Sequence, residues 1–80
     1  MKREKRPALV VTFDTTSQAL AAEKVFTERE LPGRMIPVPS QIAAGCGLAW
    51  KAETAQRDAL CGTLTETGIG YSACHVLEMF

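Results

Sequence analysis

The sequence predicts an α+β domain on the ferredoxin-like two-layer plan, β-α-β-β-α-β, with an antiparallel sheet and both helices on one face. Three observations carry this. The apolar run Ala8-Leu9-Val10-Val11-Thr12-Phe13 leads into a capped helical segment. A second helical segment, stopped by Gly68, leads into a final apolar run. Between the helices lie two short β-rich stretches and no further helical pattern.

Taken in order, Ala8 to Phe13 reads as a largely buried interior strand, bounded by Pro7 and by Asp14-Thr15-Thr16. The next segment, from about Thr16 to Arg29, opens on the capping-box pattern Thr15-Thr16-Ser17-Gln18 and carries Ala19, Ala22 and Phe26 at helical spacing. Leu31-Pro32-Gly33 ends it. Arg34 to Val38 is a strand that Pro37 consigns to the sheet's edge, because proline removes a ladder donor. Gly47 to Ala52 is the third strand. Thr54 is expected to cap a second helix that runs to about Thr67, with Leu60, Cys61 and Leu64 on its apolar side. Tyr71 to Phe80 supplies the last strand.

Composition sets the limits. The 80 residues, 46% hydrophobic and 22% charged, make one globular domain. Such a domain hides only roughly 60–65% of its unfolded surface. Four of the nine basic residues, Lys2, Arg3, Lys5 and Arg6, and one of the nine acidic, Glu4, fall in the first six positions. That leaves five basic against eight acidic in the body, so residues 1–7 read as a flexible basic leader and 8–80 as the domain, without the electrostatic footprint of a nucleic-acid binder. No apolar stretch is long enough for a signal-peptide core or a membrane span, which points to the cytoplasm. Apolar residues at both parities of the first strand, Leu9, Val10, Val11 and Phe13, imply a sheet face too greasy for solvent and predict a homodimer.

The three cysteines are an odd number, which speaks for free thiols over a disulfide framework. Cys46 stands apart. It lies between glycines in Ala44-Gly45-Cys46-Gly47, after the stiff stretch Ile36-Pro37-Val38-Pro39. Backbone replaces side chain on either side of it, so its sulfur is expected to be presented, with Gly45 and Gly47 offering access and inward N–H groups to a thiolate. Cys61 and Cys74 are expected to pack structurally, Cys61 among Leu60 and Leu64 and Cys74 on the last strand. His75 is a conceivable base for Cys46, with no third orienting group apparent. A metal site is disfavoured and no cofactor is implied: there is no Cys-x-x-Cys pair, and Cys74 and His75, adjacent on a strand, face opposite ways. Phe13 and Trp50 fall on the two central strands, but the basic and doubled aromatic character of an RNA-binding sheet is missing.

Thr12-Phe13, Thr15-Thr16, Ala19 and Glu23, then Ile36-Pro37-Val38-Pro39 and Cys46-Gly47-Leu48-Ala49 together resemble the selenium/sulfur carrier-like family of small bacterial proteins. The likeness spans nearly the whole chain after the leader. In place of the serines that members often carry ahead of the cysteine, this chain has Ala43-Ala44-Gly45. The resemblance implies that Cys46 is the chemical residue and that donor and acceptor proteins for sulfur or selenium are the partners. Pro37 and Pro39 then brace the loop, and the protein is a carrier and not a turnover catalyst. A different reading stays open beside it, a non-catalytic interaction or regulatory module that dimerises through its open sheet face.

Overall fold

The structure, a computed structural model, describes residues 6–39, 42 and 47–79. Its elements are β1 (Arg6–Thr12), α1 (Thr16–Glu28), β2 (Arg34–Pro37), β3 (Leu48–Glu53), a single 3₁₀ turn (Thr54–Gln56), α2 (Arg57–Thr67) and β4 (Ala73–Met79). The strands form one antiparallel sheet in the order β2-β3-β1-β4. β1 and β3 are therefore the interior pair and β2 lies at an edge, as Pro37 required.

The register explains which residues go inside. Val11 lies opposite Trp50 of β3 and Cys74 of β4, and Leu9 lies opposite Ala52 and Val76. Directly opposed residues share a face, so one face carries Leu9, Val11, Trp50 and Ala52. These join Phe13, then Ala19, Ala22 and Phe26 of α1, and Leu60 and Leu64 of α2, in one buried cluster. Both helices thus cover the same face. The other face carries Ala8, Val10 and Thr12, flanked in register by Glu53, Lys51 and Ala49 on one side and Leu77, His75 and Ala73 on the other. The sequence implied that this face is bare. Its centre is not: Ala8, Val10, Thr12 and Ala49 are all buried within the single chain.

β1 begins two residues earlier than expected. Arg6 and Pro7 pair with Met79 and Glu78 of β4 and so belong to the sheet and not to the leader. Pro7 is tolerated because β3 pairing starts only at Ala8, which leaves the proline on a stretch of β1 with one neighbour.

At the start of α1, Thr15 Oγ1 accepts the backbone N–H of Gln18 at 3.1 Å while Gln18 Oε1 accepts those of Thr15 and Asp14 at 3.3 and 3.0 Å. The capping box read from the sequence is formed. Alanines at 19 and 22 let the helix lie close to the sheet, and Phe26 meets Trp50 with ring centroids 5.0 Å apart and planes tilted by 54°. The helix ends by a device the sequence did not reveal. Glu30 takes the left-handed conformation at φ 56°, and the Leu31 N–H returns to the Phe26 carbonyl at 2.8 Å. Pro32 then accepts the Trp50 indole N–H on its carbonyl at 3.3 Å, and Gly33, at φ 125°, lies tight against the nitrogen side of the indole. A methyl group on Gly33 would run into Trp50 Nε1 and lie 2.6 Å from the Lys51 carbonyl oxygen.

The second helix starts later than its expected Thr54 cap. Thr54 opens the 3₁₀ turn, and α2 follows from Arg57 without a side-chain cap bond from Gln56. Thr54 comes directly after the end of β3, and a 3₁₀ turn reverses the chain in fewer residues than an α-helix. Gly68 ends α2 in the left-handed conformation, as expected, with the Ile69 N–H on the Leu64 carbonyl.

Two glycine substitutions test this packing in opposite directions. Gly33→Ala should lower stability by at least about 2 kcal/mol, from overpacking against Trp50 and a backbone conformation closed to alanine. Gly62→Ala, within α2 where an added methyl meets nothing within 4 Å, should raise it by about 0.5–1 kcal/mol. Urea unfolding of the two variants checks both signs.

Candidate functional site

The Cys46 loop is an insertion between the two strands of a hairpin, and its base is fixed by backbone pairing. β2 and β3 run from Arg34 opposite Lys51 to Pro37 opposite Leu48. One step further the Val38 N–H donates to the Gly47 carbonyl at 2.9 Å. Pro37 has no N–H to give and sits on the outermost strand, so the ladder loses nothing there that a neighbour needed. Pro39 follows, and its carbonyl accepts the N–H of Ile42 at 2.9 Å. Gly47 has φ 77°, a conformation that favours glycine, and the space beside its Cα is open.

Of the site residues expected from the sequence, Pro37, Pro39 and Gly47 are described and form this base. Gly45 and Cys46 lie outside the described residues. The register places the base at the end of the sheet where β1 finishes at Thr12 and β4 starts at Ala73. That end is held by the Ser72 N–H on the Thr12 carbonyl at 2.7 Å and by Thr12 Oγ1 donating to the Ala73 carbonyl at 3.3 Å. His75 lies two residues along β4, opposite Val10, on the face away from the helices.

An open groove of about 780 Å³ lies at the other end of the sheet, lined by Arg6, Arg34, Lys51 and Glu53 among others. It shares no residue with the base of the Cys46 loop. Among the described residues no group of three or more His, Cys, Asp or Glu is placed to hold a metal ion.

The other two cysteines meet. Cys61 of α2 and Cys74 of β4 are free thiols, both half-buried, with sulfurs 3.0 Å apart in a hydrogen bond. The sequence assigned each a separate packing role, and the contact went unread because a helix and a strand had to be docked before the two positions coincided. Cys74 packs against the edge of the core, and its thiol is pushed up to about 12, first by burial and then by the hydrogen bond and charge of Cys61. Tyr71 is raised as well, chiefly by the charges that Cys61 and Cys74 would carry. Arg57, one turn before Cys61 on α2, acts weakly in the opposite direction on both.

The fold and this geometry define a class: a small α+β domain with a glycine-flanked cysteine on a loop that two prolines and a strand hairpin close. Within that class the chain belongs to the family described as putative Se/S carrier protein-like, whose model matches residues 8–76. No curated protein and no solved structure matches the chain. The matched range contains all three cysteines and begins with the first residue of β1 that pairs on both sides. No helix among the described residues is long and apolar enough to cross a membrane.

Burial of the Cys74 thiol has two measurable consequences. Its alkylation by iodoacetamide at neutral pH should be at least about a hundredfold slower than that of an unhindered cysteine, because so little of it is thiolate. Folding also favours the protonated thiol, so the unfolded chain releases this proton first as pH rises. The stability Cys74 contributes is complete below the unfolded thiol pKa of roughly 8.5 and is lost between there and the folded value of about 12. Urea unfolding across that range should fall more steeply for the natural chain than for Cys74→Ala.

Proposed function

We propose that the protein carries sulfur or selenium as a persulfide or selenosulfide of Cys46, taking it from a donor protein and yielding it to an acceptor. The observation that carries this reading is the family match over residues 8–76, which spans Pro37, Pro39 and the Cys46-Gly47 pair. In the loading step the Cys46 thiolate attacks the outer sulfur of a donor persulfide. A new S–S bond forms at Cys46, the donor's S–S bond breaks, and the donor cysteine leaves as a thiolate with the electron pair. Unloading repeats the exchange, with an acceptor nucleophile attacking the outer atom and Cys46 leaving as thiolate. No net oxidation occurs. The atom in transit stays at the sulfane level, which is the chemistry of a carrier and not of a turnover enzyme.

The loop base supports this role. The hairpin closure at Val38 and Gly47 fixes the chain one residue after Cys46. In this reading Pro37 and Pro39 stiffen the approach, and Gly45 and Gly47 leave the sulfur open to a partner's active site. A reducing compartment such as the cytoplasm keeps the thiol ready between transfers. Association of two copies keeps one specific support, Val76 on the edge strand β4, an apolar side chain 57% exposed. Light scattering at high micromolar concentration should then give the mass of two chains, and the mass of one would remove the homodimer from this reading.

Incubation with a cysteine desulfurase and cysteine should add one sulfur at Cys46, removable by dithiothreitol. Cys46→Ser should gain none while keeping its fold. Sulfur mapped to Cys61 or Cys74, or none in the natural chain, contradicts the carrier. If Cys46→Ser also keeps the cellular role intact, the protein is an interaction module.

A further inference from the structure

Three cysteines divide in this fold into one and two. We propose that Cys61 and Cys74 form a second sulfur site, a dithiol that small-molecule disulfides oxidise to an intramolecular disulfide and that thiols reduce again. The inference uses neither Cys46 nor the persulfide chemistry, so either can fail without the other.

The geometry points there in three ways. The sulfurs are 3.0 Å apart, so closing to a bond of about 2.05 Å needs only a movement of roughly 1 Å, within reach of small side-chain rotations. The backbones that carry them are set independently. Cys61 sits between the buried Leu60 and the buried pair Thr63 and Leu64, and its carbonyl accepts Thr65 Oγ1 at 3.0 Å. Cys74 is held in register opposite Val11 of the buried β1. Neither is sealed. Both are only partly buried, and the next residue on α2 beside Cys61 is Gly62, with open space where a side chain would stand. A small disulfide can therefore approach from the α2 side.

The order of events follows from the surroundings. Burial and the neighbouring sulfur keep the Cys74 thiol protonated, so Cys61 attacks first. It gives its proton to solvent, its thiolate bonds to one sulfur of the small disulfide R–S–S–R, and the other leaves as R–S⁻. Once Cys61 is in this mixed disulfide, its charge and hydrogen bond no longer raise Cys74. Burial, the larger cause, still holds most of Cys74 protonated, so its small thiolate fraction, already beside the mixed disulfide, attacks Cys61 Sγ, and the second R–S⁻ departs while the thiol's proton goes to solvent. Two protein thiols are oxidised, one small disulfide is reduced to two thiols, and the balance closes. Tyr71, raised by the charges of both thiols, and Arg57, whose charge lowers Cys74 and Tyr71, lie near the pair.

The test uses the full, reduced chain treated with oxidised glutathione at neutral pH, followed by alkylation of remaining thiols. No Lys or Arg follows Arg57, so trypsin leaves both cysteines in one peptide, 58–80, which should be lighter by two hydrogens and resist alkylation. Cleavage after Glu66, which lies between them, should then give two peptides that part only on reduction. Cys46→Ser should behave identically at this pair. Cys74→Ser should stop with glutathione on Cys61, and Cys61→Ser should react at Cys74 at least about tenfold more slowly than Cys74→Ser reacts at Cys61. Should either of these variants fail to fold, the map of the natural chain decides alone. Glutathione or alkyl groups found separately on Cys61 and Cys74, with no link between them, would overturn the proposal.

Discussion

Every element of this domain takes its position from β1, a strand hydrogen-bonded along both edges and buried on both faces. Leu9, Val11 and Phe13 receive the two helices, while Ala8, Val10 and Thr12 are withdrawn from solvent on the far side. In so small a domain a centrally placed strand is an economical way to build a core, because every residue of β1 from Ala8 to Thr12 is buried. The consequence for chemistry is positional. With β1 fixed, β3 must run alongside it and β2 outside β3, which puts the β2–β3 connection at one end of the sheet. There the Cys46 loop is inserted between two residues that hydrogen-bond to each other.

Closure at Val38 and Gly47 gives the loop a stem fixed by backbone hydrogen bonding. Pro37 and Pro39 add stiffness where an edge strand can spare donors, and Gly47 adopts a backbone conformation that other residues avoid. In the proposed carrier role, that stem is what would hold the cysteine's approach to a partner protein. That role contrasts with the Cys61 and Cys74 pair, whose sulfurs are held against each other at the margin of the core and whose reactivity is governed by burial.

Much of this was legible in the sequence, for reasons that are local. The capping box at Thr15 and Gln18, the alanine and phenylalanine stripe of α1, the proline on the edge strand and the glycine stop at Gly68 are each decided by residues close in the chain. What escaped depended on distant parts meeting. Glu30 in the left-handed region is unremarkable in sequence, and its role shows only in the Leu31 N–H returning to the Phe26 carbonyl. The second helix yields its first turn, Thr54 to Gln56, to a tighter winding at the exit of β3. The expected bare face is closed at its centre, which no periodicity of β1 alone reveals. The Cys61 and Cys74 contact needs a helix docked on a strand before it exists. For the candidate site, the sequence singled out Pro37, Pro39 and Gly47, and their meeting at one hydrogen-bonded base depended on β2 and β3 pairing.

The central claim is that Cys46 holds a transferable sulfur or selenium atom in the cell. It is tested most directly by an intact mass spectrum of the protein isolated without reductant, with fragments assigned to each cysteine. The account predicts a fraction of molecules heavier by one sulfur or one selenium, the extra atom on the fragment containing Cys46 and lost on treatment with dithiothreitol. A population with Cys46 always a bare thiol, isolated from cells in which the donor enzyme is active, would contradict it.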